Sequence, residues 1–195
     1  LAQRRAAFRA RLARRDAMVV PGAPNALTAR MIAAAGFEAV YVTEPLAYRR
    51  DAATANGAVA GCDPTAANAA DWVAQREPEL LDVVFDCCGK QEALDDAAGM
   101  LTNGGTLALI GIPTEERLTY DPHTLRRKEI RLQNVRRQNE CAAATIKMVA
   151  ESGIDVSFMI THRFDFARTA EAFDLVAAYD DDVIKAMINM PGTTA

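Results

Sequence analysis

The sequence predicts an α/β domain built on a doubly wound parallel sheet, and three observations carry that expectation. Leu81 to Pro113 reads as one complete β-α-β unit. On either side of it, short apolar runs alternate with stretches whose apolar residues recur at helical spacing, the order that gives a parallel sheet covered by helices. Glycines fall where those helices should stop, at Gly36, Gly57 and Gly153, because glycine enters the left-handed conformation that ends a helix without a side-chain penalty.

The central unit is the clearest. Leu81 to Phe85 is a nearly continuous, valine-rich apolar run, the look of a strand buried on both faces. Asp86-Cys87-Cys88-Gly89 ends it with small residues that let a ligand approach the backbone. Gln91 to Leu101 then sets Leu94, Ala97, Ala98 and Leu101 on one helical face. Gly104-Gly105 is expected to turn the chain into a further buried strand, Thr106 to Ile110. Crossovers of this kind build doubly wound sheets, which bind ligands at the carboxyl ends of their strands.

The remaining elements follow in chain order. Residues 1–16 form a basic helix with Arg4, Arg5, Arg9, Arg11, Arg14 and Arg15 around a stripe of Phe8 and Leu12. It reads as a solvated surface helix, since the serines of a mitochondrial targeting segment are missing. Ala17 to Pro21 is a first strand, Pro24 to Ala35 a helix and Glu38 to Thr43 a second strand. Leu46 to Asn56 is a helix, Ala58 to Cys62 a weak third strand and Ala66 to Arg76 a helix carrying Trp72. After the central unit, Thr114 to Leu125 is irregular, with a turn or short helix at Asp121-Pro122-His123. Glu129 to Val135 is the sixth strand and Asn139 to Ser152 a helix. Ile160 to Phe164, Ala167 to Ala178 and Val183 to Met190 form a C-terminal strand, helix and strand. The expected organisation is the basic helix at 1–16, a sheet domain at 17–156 and an αβ tail at 157–195.

Composition narrows the functional classes. A chain of 195 residues buries one good core, and no apolar run is long enough to span a membrane. Charged side chains give a net charge of -4, which argues against nucleic-acid binding by the whole surface. Four cysteines, two of them adjacent, do not make a disulfide framework; reduced thiols in a cytoplasmic protein are expected. The first residue, Leu1, reads as the start of a fragment or a processed form.

The motifs DVVFDCCG, GGTLALIGIP, KEIRLQNVRRQN from Lys128 to Asn139, ITHRF from Ile160 to Phe164 and VIKAMI from Val183 to Ile188 stand in order between Glu44 and Met190. This stretch, about three quarters of the chain, resembles the nucleotide-binding half of the medium-chain dehydrogenases, in particular the zinc-type alcohol, sorbitol and xylitol dehydrogenases. The resemblance implies a Rossmann-type domain with strand order 3-2-1-4-5-6. A second resemblance covers VVPGAPNALTARMIAAAGFEAVYVT and the helix before it, which is similar to the opening of the phosphoenolpyruvate mutase and isocitrate lyase family of barrels. It stops at Thr43, with no aspartate-rich magnesium loop after it. The chain thus reads as a chimera joined at Thr43-Glu44.

A dinucleotide seat of this fold needs a glycine turn under the pyrophosphate, a helix N-terminus, and an acid about twenty residues on for the ribose hydroxyls. Glu44 is that acid, and it favours NAD because a carboxylate repels the extra phosphate of NADP. Arg49 and Arg50, close by, would welcome that phosphate, so NADP stays the less favoured alternative. The glycine turn falls on Val20-Pro21-Gly22-Ala23-Pro24-Asn25, where only Gly22 remains to admit the pyrophosphate. The resemblance further implies that Cys87, Cys88 and Gly89 lie by the adenosine and Gly111, Ile112 and Pro113 by the nicotinamide. Asn134, Val135 and Arg136 reach the nicotinamide and substrate pocket; a solvated pair at a strand end is the competing account of Arg136 and Arg137.

Zinc belongs to the resembled family, but the adjacent Cys87 and Cys88 lack the spacing of two tetrahedral ligands, and no CxxC or Cys/His cluster occurs. His123 and His162 are solitary, Asp82 and Asp86 read as turn and cofactor-edge residues, and no catalytic set is visible. The expected function is the NAD-binding portion of an alcohol or polyol dehydrogenase, weak or inactive alone. A lyase acting on small 2-oxo acids and a non-catalytic association module are the alternatives. The C-terminal strand would fold back, stay loose or pair in a homo-oligomer.

Overall fold

The computed structural model describes residues 40–136, 140–151 and 155–192. Within them the chain alternates strand and helix as its periodicity requires. Strand β1 (Tyr41–Thr43), helix α1 (Ala47–Ala55) and strand β2 (Ala60–Cys62) form the first unit, with β1 and β2 parallel and Tyr41 opposite Ala60. Helix α2 (Ala69–Ala74) leads to β3 (Leu81–Asp86), α3 (Gln91–Met100), β4 (Leu101–Leu109), α4 (Pro122–Arg127) and β5 (Arg131–Asn134). These three strands make a parallel sheet in the order β3-β4-β5. After α5 (Ala142–Glu151) come β6 (Ile160–Asp165), α6 (Thr169–Ala178) and β7 (Lys185–Asn189), with β6 and β7 again parallel.

This is a Rossmann-type α/β fold. The described strands form open parallel sheets and no closed barrel. The pairs β1-β2 and β3-β4-β5 are the two flanks of the expected order 3-2-1-4-5-6. The strand expected at Ala17 to Pro21, the helices at 1–16 and Pro24 to Ala35, and Gly22 lie outside the described residues.

Three apolar clusters hold the layers together. Val40, Ala53 and Ala58 pack with Phe158; Cys62, Ala69, Val73 and Met100 pack with Trp72, Leu81 and Val84; Leu94, Ala97, Leu101 and Leu107 pack with Leu109, Leu118 and Ile130. Leu94, Leu101 and Leu107 are fully buried, worth about 1.5–3 kcal/mol each over an exposed position. Helices α2 and α3 approach so closely that a Cβ on Gly99 would lie 2.7 Å from that of Ala70.

Several boundaries differ from the periodicity, each for a local reason. Helix α2 is shorter than Ala66 to Arg76 because Asn68 caps it, its side chain accepting the Asp71 amide at 2.8 Å. Strand β4 begins at Leu101, not after Gly104-Gly105, because Leu101 pairs with Leu81 while Thr106 pairs with Val83. The residues between bulge out of the ladder, with Gly104 in the left-handed region at φ +75°. Lys128 secures this corner. Its Nζ donates to the carbonyls of Ala98, Gly99 and Leu101 at 2.9–3.0 Å, closing the end of α3. Asp121, followed by Pro122, caps α4 by accepting the His123 amide at 2.9 Å, so part of the irregular stretch is a short helix.

The C-terminal tail folds back on α1. Tyr48 Oη donates to the Val183 carbonyl at 3.0 Å, and the Arg49 guanidinium stands 5.1 Å from the centre of the Tyr179 ring. Phe166, Phe173, Val176 and Met187 of the tail remain exposed. Among the described residues no helix is long and apolar enough to cross a membrane.

Candidate nucleotide-binding edge

Register places the expected site residues that follow β3, β4 and β5 on one edge, while Glu44 and Arg49 follow β1 in a separate sheet. Asp86, Leu109 and Asn134 are successive partners across β3, β4 and β5, so the three strands end in one row. Cys87 to Gly89, Gly111 to Pro113, and Val135 with Arg136 all lie immediately beyond it. Val135 extends the row through its amide, which donates to the Leu109 carbonyl at 2.9 Å.

Asp86 organises the edge. It is the buried polar residue of the described core at 5% exposure, and its carboxylate accepts the amides of Cys88 and Gly89 at 3.1 Å. Its carbonyl accepts the amides of Ile110 and Gly111, each at 2.9 Å. One residue therefore joins the loop after β3 to the loop after β4. Burial, and then the neighbouring Asp86 carboxylate, push the Cys87 thiol up to about 11. The Cys88 thiol is also raised, chiefly by burial, and donates to Asp86 Oδ1 at 3.3 Å. Both thiols are protonated at neutral pH, which makes them poor nucleophiles.

The two loops leave no space for side chains between them. A Cβ on Gly111 would lie 2.3 Å from the Gly89 amide nitrogen and 2.8 Å from the Cys88 carbonyl carbon. A Cβ on Gly89, which has φ +68°, would lie 2.8 Å from the Pro113 nitrogen. Only glycine fits at either position. Beyond them Ile112 stands 72% exposed, an apolar side chain facing open solvent at the rim of the edge. The far end of this rim is fixed by Gln91, whose side chain exchanges hydrogen bonds with the Thr119 amide at 2.9 Å and carbonyl at 2.8 Å. Nothing in the sequence marks that tie, since a glutamine opening a helix has no fixed partner in a loop 28 residues on.

Glu44 follows β1, held by its own amide donating to the Cys62 carbonyl at 3.0 Å. Its Oε1 accepts the Leu46 amide at 3.0 Å, and Oε2 lies 4.0 Å from Arg49 Nη1. Arg50 points elsewhere. Its Nη1 donates to the Glu44 and Pro45 carbonyls at 2.6 and 2.7 Å and meets Asp63 at 3.4 Å. Asn134 and Arg136 are exposed at the strand end, and Arg137 lies outside the described residues.

The chemistry of the edge suits a dinucleotide. Glycine backbone reaches the surface between β3 and β4, and the Glu44 carboxylate marks the end of β1 in the other described sheet. It does not suit a zinc ion, because among the described residues no three His, Cys, Asp or Glu side chains converge. His162 instead pairs with Asp181 at 3.1 Å in the tail.

Open parallel strands with this carboxyl edge define a Rossmann-type, nucleotide-binding class of fold. The pattern of the zinc-binding dehydrogenases matches residues 26–152, and the chain belongs to that family. The match starts upstream of Thr43-Glu44, so it runs through the position where the second resemblance ended. The chain is 28% identical over 172 residues to L-galactonate-5-dehydrogenase of Escherichia coli, covering 88% of this chain and 51% of the relative. It is 28% identical over 189 residues to a putative D-xylulose reductase of Agrobacterium fabrum, covering 95% of this chain and 54% of the relative. The alcohol dehydrogenase of Thermus sp. ATN1 shares the fold with a TM-score of 0.78 at 14% identity, over 88% of this chain and 53% of that one. A putative zinc-binding dehydrogenase of Sinorhizobium meliloti bound to NADP does so with a TM-score of 0.69 at 23% identity, over 85% and 48%. The chain spans about half the length of these relatives.

Proposed function

We propose that residues 17–156 bind NAD and that the chain is the cofactor-binding portion of an alcohol or polyol dehydrogenase. The observation that carries this reading is the mutual fit of Gly89 and Gly111 beside buried Asp86, which brings bare backbone to the carboxyl edge of the sheet. Cys87 to Gly89 would border the adenosine, and Gly111, Ile112 and Pro113 the nicotinamide, with Asn134, Val135 and Arg136 at its far end. Gly22 would admit the pyrophosphate. Glu44 would receive the ribose hydroxyls.

When bound, the nicotinamide accepts a hydride from a secondary alcohol carbon. This chain's part is to bind and orient it: the fixed glycine loops set the ring's position, and exposed Ile112 would cover one side and exclude water. NAD is favoured over NADP because Glu44 repels a 2′-phosphate, while Arg50 is committed to Glu44, Pro45 and Asp63. Taken alone, the chain would turn over little alcohol, since the described residues bring no metal ligands together. Exposed apolar side chains in the tail, Phe166, Phe173 and Val176 on and before α6 and Met187 on β7, support association with a second copy through the C-terminal strand, read by light scattering as a dimer.

Fluorescence titration of the purified chain with NADH and then NADPH tests the proposal. Micromolar binding with NADH preferred is expected, and Gly111→Ala should weaken it by about tenfold or more, the equivalent of about 1.4 kcal/mol. Absence of binding at millimolar NADH refutes the site, and rapid alcohol oxidation by the chain alone refutes its dependence on further parts.

A further inference from the structure

The contact between Arg49 and the tail is not part of the glycine edge, and it carries a consequence for cofactor choice. Arg49 is largely buried, with 18% of its side chain exposed. Its guanidinium carbon lies 5.6 Å from the Tyr48 ring centre and 5.1 Å from that of Tyr179, both within the range of a cation–π contact. Nη1 faces Glu44 Oε2 at 4.0 Å. Nε is shielded from solvent and has no hydrogen-bond acceptor, so this donor is held in place by the rings and not by a partner of its own.

Tyr179 is itself placed under constraint. It ends α6 with φ +56°, a left-handed position that a bulky residue rarely takes. Nearby, the Tyr48 hydroxyl pins the Val183 carbonyl at 3.0 Å, so the turn after α6 is anchored to α1 on both sides of Asp180 to Asp182. Arginine is the side chain that would recognise a phosphate beside the ribose, and here it is confined.

We propose that Tyr179 is a positioning residue: by holding the Arg49 guanidinium against Glu44 it keeps the ribose seat selective for a 2′-hydroxyl over a 2′-phosphate. This rests on the reading of Glu44 as the ribose end of a nucleotide site. A freed Arg49 could turn its guanidinium, including the Nε donor that the rings now enclose, toward a phosphate. A confined one leaves Glu44 to set the preference.

The test uses the full chain and NADH and NADPH as probes. Tyr179→Gly removes the ring and suits the positive φ; Tyr179→Phe keeps the ring. The ratio of NADPH to NADH dissociation constants is expected to fall by about tenfold in Tyr179→Gly and to stay within about twofold of the parent in Tyr179→Phe. Hydrogen exchange at the Arg49 Nε–H, followed by NMR, should quicken in Tyr179→Gly and in a second variant, Tyr179→Leu, and stay slow in Tyr179→Phe. If the parent binds NADH and the ratio in Tyr179→Gly is unchanged, the role of Tyr179 is overturned while the nucleotide site stands. If the parent binds neither nucleotide, the nucleotide site falls and this proposal with it.

Discussion

Replacing Gly99 by alanine sets helix propensity against packing, and the balance can be worked from the geometry. The new methyl would lie 2.7 Å from Ala70 Cβ, where carbon atoms ordinarily rest about 3.5–4.0 Å apart. Helices α2 and α3 must part by about 1 Å, and overpacking of this kind costs about 2 kcal/mol. Alanine inside α3 returns about 1 kcal/mol of helix propensity over glycine. Gly99→Ala should therefore destabilise by about 1 kcal/mol net. Ala70→Gly alone loses about 1 kcal/mol of propensity in α2. Independent effects would sum to about 2 kcal/mol, but in the double variant the methyl at 99 fills the space vacated at 70, so stability should return to that of the parent. Urea unfolding of the four proteins measures all three differences. A double variant as unstable as the sum of the singles would refute close contact between α2 and α3.

Two further perturbations probe the central unit. Lys128→Met removes three bonds from an ammonium group to the carbonyls of Ala98, Gly99 and Leu101 and should lower unfolding free energy by about 2 kcal/mol; an unchanged urea midpoint would show that the cap contributes nothing. Cys87 gives a pH dependence. Its folded thiol titrates at about 11, against 9.0 unperturbed, so below pH 9 it is protonated in both states and its contribution is fully present. Between pH 9 and about 11 the unfolded chain ionises first, and about 2 kcal/mol of stability should be lost across that window. Cys87→Ala should flatten the decline, and a slope equal to the parent's would place the loss elsewhere.

The parts of the fold legible in the sequence are those where one periodicity acts without competition. β3 was visible because Leu81 to Phe85 is apolar but for Asp82, and α3 because Leu94 and Ala97 share a face that is in fact buried. β4 was legible only in its second half, since the polar Thr102-Asn103-Gly104-Gly105 run reads as a turn but bulges within a ladder already begun at Leu101. The carboxyl edge was legible through its small residues, whereas the clamp on it was not. Nothing local marks Asp86 as the acceptor for both loops, and the Tyr48 bond to Val183 spans 135 residues, beyond any pattern of spacing. Arg49 and Arg50 look equivalent as neighbours in sequence; helical rotation sends one toward Glu44 and Tyr179, the other toward Asp63.

Because Asp86 receives amides from the loop after β3 with its side chain and from the loop after β4 with its carbonyl, the two loops are not separate targets for change. A substitution that lifts Gly89 by an ångström also drags Gly111, and a residue inserted in one loop must be matched by room made in the other. For an engineer altering what this edge accepts, variation has to be introduced in both loops together, with Asp86 left in place; for a lineage, the same coupling makes paired changes at 87–89 and 111–113 the route by which the edge can diverge while the sheet beneath it stays intact.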